Sequence, residues 1–420
     1  MTTAKALHDL TATEARQMIR TGAITALDLT RACLSRIAAR DGTLRAWVTV
    51  NPRAEAEAAT ITPDDPRPLA GVPVAVKDMI DTGDMPTTHN SPLYGGHRPA
   101  EDAPCVQILR AAGAIILGKT DTTEFAAAGR NAATGNPADP ARTSGGSSAG
   151  SAAAVGDRHV PLAIGTQTGG STIRPASFCG AVALKPSWGL ISTEGVKRYS
   201  TSFDTVGLFA RSVADIALLA DVYALPPAAD PAARPRLGLT RTPHFARAEP
   251  ETEALFEGLA ARLAPVADVA PFDLPEGFEA VDTLHRCVMH TEGAVAFLNL
   301  ARTRGALLHA DFHDRVNLGA GFSQRDRYEA YDRLAALRVE LERRMQGFDA
   351  LIAPSAPGFA PIGRGPGDPV FNALWTAMQV PVLNLPLGGC DLPLGLSLIG
   401  TRAGDRALIK TGATLAPALA

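Results

Sequence analysis

The stretch Gly145-Gly-Ser-Ser-Ala-Gly-Ser-Ala-Ala-Ala154 opens a segment of alternating character. An apolar run follows at Val160 to Ile164, and then Gly165-Thr-Gln-Thr-Gly-Gly-Ser-Thr-Ile-Arg-Pro175. The first part reads as a glycine-serine loop entering an alanine-rich helix. The second reads as a short apolar strand running into another glycine-serine loop. A further apolar run at Ala181 to Leu184, bounded by glycine and proline, continues the pattern. Strands alternating with helices point to an α/β fold whose sheet is buried on both faces.

The same alternation extends outward in both directions. Thr11 and Glu14 have the spacing of a capping box and start a helix whose apolar face is Ala15, Met18 and Ile19, with Gly22 at its end. Ala26, Leu29, Cys33 and Ile37 share one face of a second helix. Val72 to Val76 reads as a strand entered through Gly71 and interrupted by Pro73. Residues 104 to 112 read as a helix with Pro104 in its first turn; Gly113 ends it, and Ala114 to Leu117 is a short strand. Residues 225 to 236, rich in proline and alanine, read as a surface connection. From about 240 to 346 the pattern is mainly helical and more charged, and strand-like runs return at Ala350 to Ala353, Val380 to Leu385 and Leu394 to Ile399. The expected architecture is one domain over residues 1–420: a single large mixed, twisted β-sheet with helices on both faces and a helical excursion in its later half.

Composition excludes several classes. The 420 residues carry a net charge of −3, so there is no basic excess to release counterions from a nucleic acid. No run approaches the roughly 18 apolar residues that span a bilayer. The first residues contain no continuous apolar segment of the signal-peptide kind, which makes the cytoplasm the expected compartment. Five dispersed cysteines (Cys33, Cys105, Cys179, Cys287 and Cys390) suit reduced, mostly buried thiols rather than a disulfide framework or a zinc site.

Three motifs compete for the chemistry. Gly113-Ala-Ile-Ile-Leu-Gly118-Lys119-Thr120 fits the phosphate-loop pattern, and a nucleotide-binding protein built on it is the alternative from another class. Its four middle residues favour a buried strand, and a helix precedes it where a strand is required. Gly146-Ser147-Ser148-Ala149-Gly150 fits a nucleophile elbow with Ser148 as nucleophile, but a turn-rich loop leads into it. The downstream histidines His285, His290, His309 and His313 read as solvated helix-face residues. The third constellation is stronger. Two glycine-serine loops lie 24 residues apart, counted from Ser147 to Ser171. Glycines let backbone N–H groups converge on one point beside a hydroxyl, as in an oxyanion hole beside a nucleophile. A serine nucleophile needs a proton acceptor, and the strand Val72 to Val76 delivers Lys77, whose desolvation favours the neutral, basic amine.

These residues resemble the amidase signature family. The likeness covers nearly the whole chain: LAGVPVAVKDMID around Lys77, AAGAIILGKTDTTEF, GGSSAGSAAA, TGGSTIRPASFCGAVALKPS, DTVGLFARSVADIA, and the closing LNLPL and LPLGLSLIG. It implies an amidohydrolase that cleaves linear carboxamides through a Ser–cis-Ser–Lys triad and an acyl-enzyme, with no metal and no cofactor. Carried onto this chain, Ser171 is the nucleophile, Ser147 the bridging serine after a cis Gly146–Ser147 bond, and Lys77 the terminal base. Thr168, Gly169, Gly170 and Ser171 supply oxyanion-hole N–H groups. Many members place arginine two residues after the nucleophile; here Arg174 stands three after it, a form similar to malonamidase-like members, where the arginine binds a substrate carboxylate. Gly207-Leu208-Phe209 stands where many members have Gly-Pro, which bears on the local loop shape. Within the family, a glutaminase-type component of an amidotransferase is the alternative. The expected partners are a small-molecule amide and, by analogy with small amidases, a second copy of the chain; no nucleic acid or membrane is expected.

Overall fold

A computed structural model describes residues 5–229 and 232–420; residues 230 and 231 of the proline-rich connection, and the first four residues, lie outside the described residues. Eleven strands form one mixed sheet: β1 (Trp47–Val50), β2 (Pro73–Lys77), β3 (Ile115–Thr120), β4 (Leu162–Gln167), β5 (Val182–Lys185), β6 (Thr205–Ala210), β7 (Arg236–Leu239), β8 (Asp268–Pro271), β9 (Ala350–Pro354), β10 (Val382–Pro386) and β11 (Gly395–Ile399). Their spatial order is β1-β3-β2-β4-β6-β5-β10-β11-β9-β7-β8. β2 runs parallel to β3 and β4, β7 runs parallel to β8 and β9, and the remaining pairings are antiparallel.

The central strands are apolar without alternation because both faces are covered. Successive side chains of a strand leave on opposite faces. Val74 and Val76 accordingly join one core with Leu109 and Leu219, whereas Ala75 joins another with Cys33, Leu29 and Ala153. The helix Ala12–Arg20 has the Thr11–Glu14 capping box, and a second box, Thr25 with Asp28, starts the helix Ala26–Leu44. The helical excursion supplies a third core, in which Leu284 and Val288 meet Leu334, Trp375 and Ile399.

Several sequence expectations change in detail. The strand after Gly113 runs on to Thr120, so Lys119 lies inside β3 and is wholly buried. Its ammonium pairs with Asp78 at 3.2 Å. A phosphate loop needs that lysine free at a loop mouth, so the nucleotide-binding reading is overturned. Gly207-Leu208-Phe209 is not a loop: these residues sit in the middle of β6, where Leu208 faces Ile164 of β4 and Leu184 of β5. Gly207 is required there, since a Cβ would stand 2.0 Å from Thr172 Oγ1. β8 falls within the mainly helical excursion and forms one edge of the sheet. Cys33, Cys105, Cys179 and Cys287 are buried free thiols, and Cys390 is exposed.

Candidate active site

Lys77 closes β2, and Thr166 and Gln167 close the neighbouring parallel strand β4. The loop that follows β4 therefore opens over the carboxyl ends of parallel strands, where open α/β sheets hold their ligands. Lys77 is fully buried. Its Nζ lies 2.7 Å from Ser147 Oγ, 3.0 Å from Ser148 Oγ and 2.6 Å from Thr166 Oγ1. No carboxylate among the described residues stands within ion-pair distance of it. Burial pushes its pKa well below the ordinary lysine value, with the Asp204 carboxylate opposing that shift.

That burial favours the neutral amine, which has two N–H donors and one lone pair. Ser148 Oγ donates to the Thr166 carbonyl at 3.0 Å and accepts the Thr166 N–H at 3.2 Å, so its proton is committed elsewhere. Lys77 Nζ stands within donating distance of all three hydroxyls, those of Ser147, Ser148 and Thr166. Ser148 is itself wholly buried, which removes it as the nucleophile of an elbow.

The Gly146–Ser147 peptide bond is cis. Ser147 and Ser171 both line a cavity of about 340 Å³, together with Thr168, Gly169, Gly170 and Arg174. The two loops are tied directly: the Ser148 N–H donates to the Ser171 carbonyl at 3.3 Å. The N–H groups of Thr168, Gly169, Gly170 and Ser171 meet no acceptor in the protein among the described residues. Gly170 has no room for a side chain, because a Cβ would lie 2.5 Å from Asn372 Oδ1. Gln167 Oε1 accepts from the Thr172 and Ile173 N–H groups, at 2.8 and 3.1 Å, and so satisfies the first donors of the helix Ile173–Cys179.

Arg174 lies in the first turn of that helix and is almost fully buried. Its Nη2 donates to the Gly146 carbonyl at 2.7 Å, while Nε and Nη1 have no protein partner. No protein acid among the described residues pairs with it. Burial lowers its pKa to about 10, with Asp368 opposing, which leaves it cationic at neutral pH.

Sequence reasoning missed the residues that surround this loop. His285 is not a solvated helix-face histidine: it is buried, stacks on Phe203 with ring centroids 4.6 Å apart, and bonds the Thr168 carbonyl at 2.9 Å. Asp204 accepts from the Thr168 hydroxyl at 2.6 Å and from the Tyr199 and Ser200 N–H groups; burial raises its pKa to about 6. Thr376 Oγ1 donates to the Gly169 carbonyl at 2.7 Å. The signal for Ser148 and Thr166 was present, since both stand in the two glycine-serine stretches. None existed for His285 or Thr376, whose partners are 117 and 207 residues away. Among the described residues no group of His, Cys, Asp and Glu is arranged to hold a metal ion, and no helix is long and apolar enough to cross a membrane.

The amidase family model matches residues 28–409. One component of the glutamyl-tRNA(Gln) amidotransferase of Chloroflexus aurantiacus is 34% identical over 468 aligned residues, covering 97% of this chain and 96% of that protein. The crystal structure of an amidase superposes with a TM-score of 0.87 at 29% identity, covering 98% of this chain and 100% of the other. The native peptide amidase of Stenotrophomonas maltophilia superposes with a TM-score of 0.83 at 29% identity, covering 98% and 97%.

Proposed function

The chain belongs to the amidase family and is an enzyme that hydrolyses amides, and within that family we propose that Ser171, Ser147 and Lys77 act as nucleophile, relay and base on a small carboxylate-bearing amide. The observation that carries this reading is Lys77: wholly buried, unpaired with any acid among the described residues, and 2.7 Å from Ser147 Oγ.

Ser171 Oγ attacks the amide carbon. Its proton passes to Ser147 as the Ser147 proton passes to neutral Lys77. The carbonyl oxygen becomes an oxyanion and is received by the N–H groups of Thr168, Gly169, Gly170 and Ser171, which have no other acceptor among the described residues. Collapse breaks the C–N bond, and the proton returns through Ser147 to the leaving nitrogen. Water then adds to the acyl-Ser171 ester by the same relay, and the acid departs with Ser171 restored. Every proton taken by Lys77 is returned, so no metal or cofactor is invoked.

Arg174 supports the substrate class. Two of its three guanidinium nitrogens are buried without a partner beside the cavity that Ser171 lines. A substrate carboxylate that accepts from one of these nitrogens would place the amide over Ser171. A panel of amides with and without a carboxylate, assayed for ammonia release, tests this directly: preference for the acids supports it, and indifference removes it.

The similar Chloroflexus protein favours a second reading, a component of an amidotransferase that supplies ammonia to a partner. In that case the purified chain alone releases little ammonia, and its partners are other proteins of the assembly. In the first case the chain alone is active, with a second copy of itself as the expected partner.

A further inference from the structure

The oxyanion-hole loop is held from outside by side chains that the catalytic relay does not use. In a trans peptide the C=O and the following N–H point in opposite directions. Fixing a carbonyl on one side therefore aims the next N–H to the other. The Thr168 carbonyl is held by His285 Nε2 at 2.9 Å, which aims the Gly169 N–H away from His285. The Gly169 carbonyl is held by Thr376 Oγ1 at 2.7 Å, which aims the Gly170 N–H away from Thr376. The Gly170 carbonyl is held by the Arg174 N–H at 3.0 Å, which aims the Ser171 N–H likewise. Three successive peptide units have occupied carbonyls and unoccupied N–H groups, and all three residues line the cavity.

Free glycine peptides do not hold such an arrangement by themselves, because glycine populates both signs of φ with similar ease. The orientation must come from the outer donors. A backbone carbonyl can only accept, so His285 Nε2 carries the proton. Nδ1 is buried with no partner, and the face of Phe203 fixes the ring plane. Burial lowers the His285 pKa and keeps the imidazole neutral, in the one tautomer that can donate here. Thr376 is oriented in turn by Gln167 Nε2, which donates to its Oγ1 at 3.0 Å.

We infer that His285 and Thr376 are positioning residues for catalysis, which set the Gly169 and Gly170 N–H groups toward the developing oxyanion at Ser171. His285 comes from the helix Val281–Arg304 and Thr376 from the helix Ala373–Ala377, so two separate helices of the chain's second half control the donor geometry of a loop made by its first half. This role rests on Ser171 as nucleophile.

The test uses the full-length chain and a fluorophosphonate probe, with adduct formation followed by intact-protein mass. Ser171 Oγ bonds phosphorus, fluoride leaves, and the hydroxyl proton passes into the relay; negative charge grows on the phosphoryl oxygen as it does on an amide oxygen. His285→Phe keeps the ring and its stacking but removes the donor. It should slow labelling at least tenfold with an unchanged melting temperature, since losing one oxyanion donor outright costs about 10²–10³ in rate. His285→Gln restores an N–H donor and should recover labelling to within about threefold of wild type. Thr376→Val should slow labelling as His285→Phe does. Equal labelling of wild type and His285→Phe overturns the inference, as does a His285→Gln variant as slow as His285→Phe. Ser171→Ala separates the two claims: labelling that persists in it, or a wild type that does not label, overturns the nucleophile assignment and the inference with it.

Discussion

Arg174 Nη2 donates to the carbonyl of Gly146 at 2.7 Å, and the peptide bond that begins at that carbonyl carries Ser147. One corner of the guanidinium is thus fixed to the relay loop, while Nε and Nη1 remain without a protein partner. The residue proposed to meet a substrate carboxylate is the same one that holds the carbonyl just before Ser147.

Arg174→Ala should therefore slow hydrolysis of carboxylate-bearing amides more than neutral ones. Truncating a buried charge partner costs on the order of 2–5 kcal/mol, so the selectivity change should reach at least roughly tenfold. Comparing kcat/KM for malonamate and for a neutral amide of similar length measures it. An equal loss on both leaves bracing of Ser147 as the whole role.

Ser171→Ala should abolish turnover with no loss of fold, because it removes a single hydroxyl from the wall of the cavity. Residual activity above roughly a few percent contradicts its assignment as nucleophile. Circular dichroism of the variant confirms that the protein is intact.

As the proposed base, Lys77 should give activity an acid limb. The working form is neutral, so the rate falls as pH drops through its pKa, which burial holds well below the ordinary lysine value. Lys77→Ala should lose about 10²–10⁴ in rate and lose that limb with it. A kcat/KM profile flat down to about pH 5, with the variant still active, would sink the relay.

Much of this site was legible because its parts are local in sequence. Lys77 follows its own strand, and Ser147 and Ser171 sit in glycine-serine stretches whose composition declares a loop. His285, Asp204 and Thr376 carry no such mark: each reaches the loop from a distant segment, and a single histidine on a helix looks alike in sequence whether it faces water or a carbonyl. The sheet divides in the same way. The buried strands β2, β3 and β4 announce themselves as apolar runs. β7 and β8 are four residues each and partly exposed, and β8, which opens on Asp268 and ends on Pro271, is too short to stand out within a helical stretch.

Lys119→Met leaves Asp78 buried without its ammonium partner. Breaking one side of a buried pair costs about 3–5 kcal/mol, which chemical denaturation reads. Nucleotides should leave the melting temperature of the wild-type chain unchanged, because this lysine belongs to the core.

Lys185 links stability to pH. Burial lowers its pKa to about 7, with Asp405 opposing, and an unfolded lysine titrates near 10.4. Between those values the unfolded chain binds more protons than the folded one, so this residue makes stability rise with pH across the window. The advantage of Lys185→Met over wild type should be greatest near pH 7 and below, and should shrink toward pH 10. Urea denaturation at several pH values shows the trend, and a constant difference would contradict it.

The contact between His285 and the Thr168 carbonyl has a consequence for anyone who recombines these enzymes. The excursion that carries His285 also brings Met289 and Asp311 to the wall of the cavity, so it is a segment one would graft from one family member into another to change that wall for a new substrate. Such a transplant replaces the orienting donor along with the helix around it. Chimeras at this junction should therefore divide by what the incoming helix places opposite Thr168: those that restore an N–H there keep their turnover, and those that bring an apolar side chain bind the new substrate yet convert it slowly.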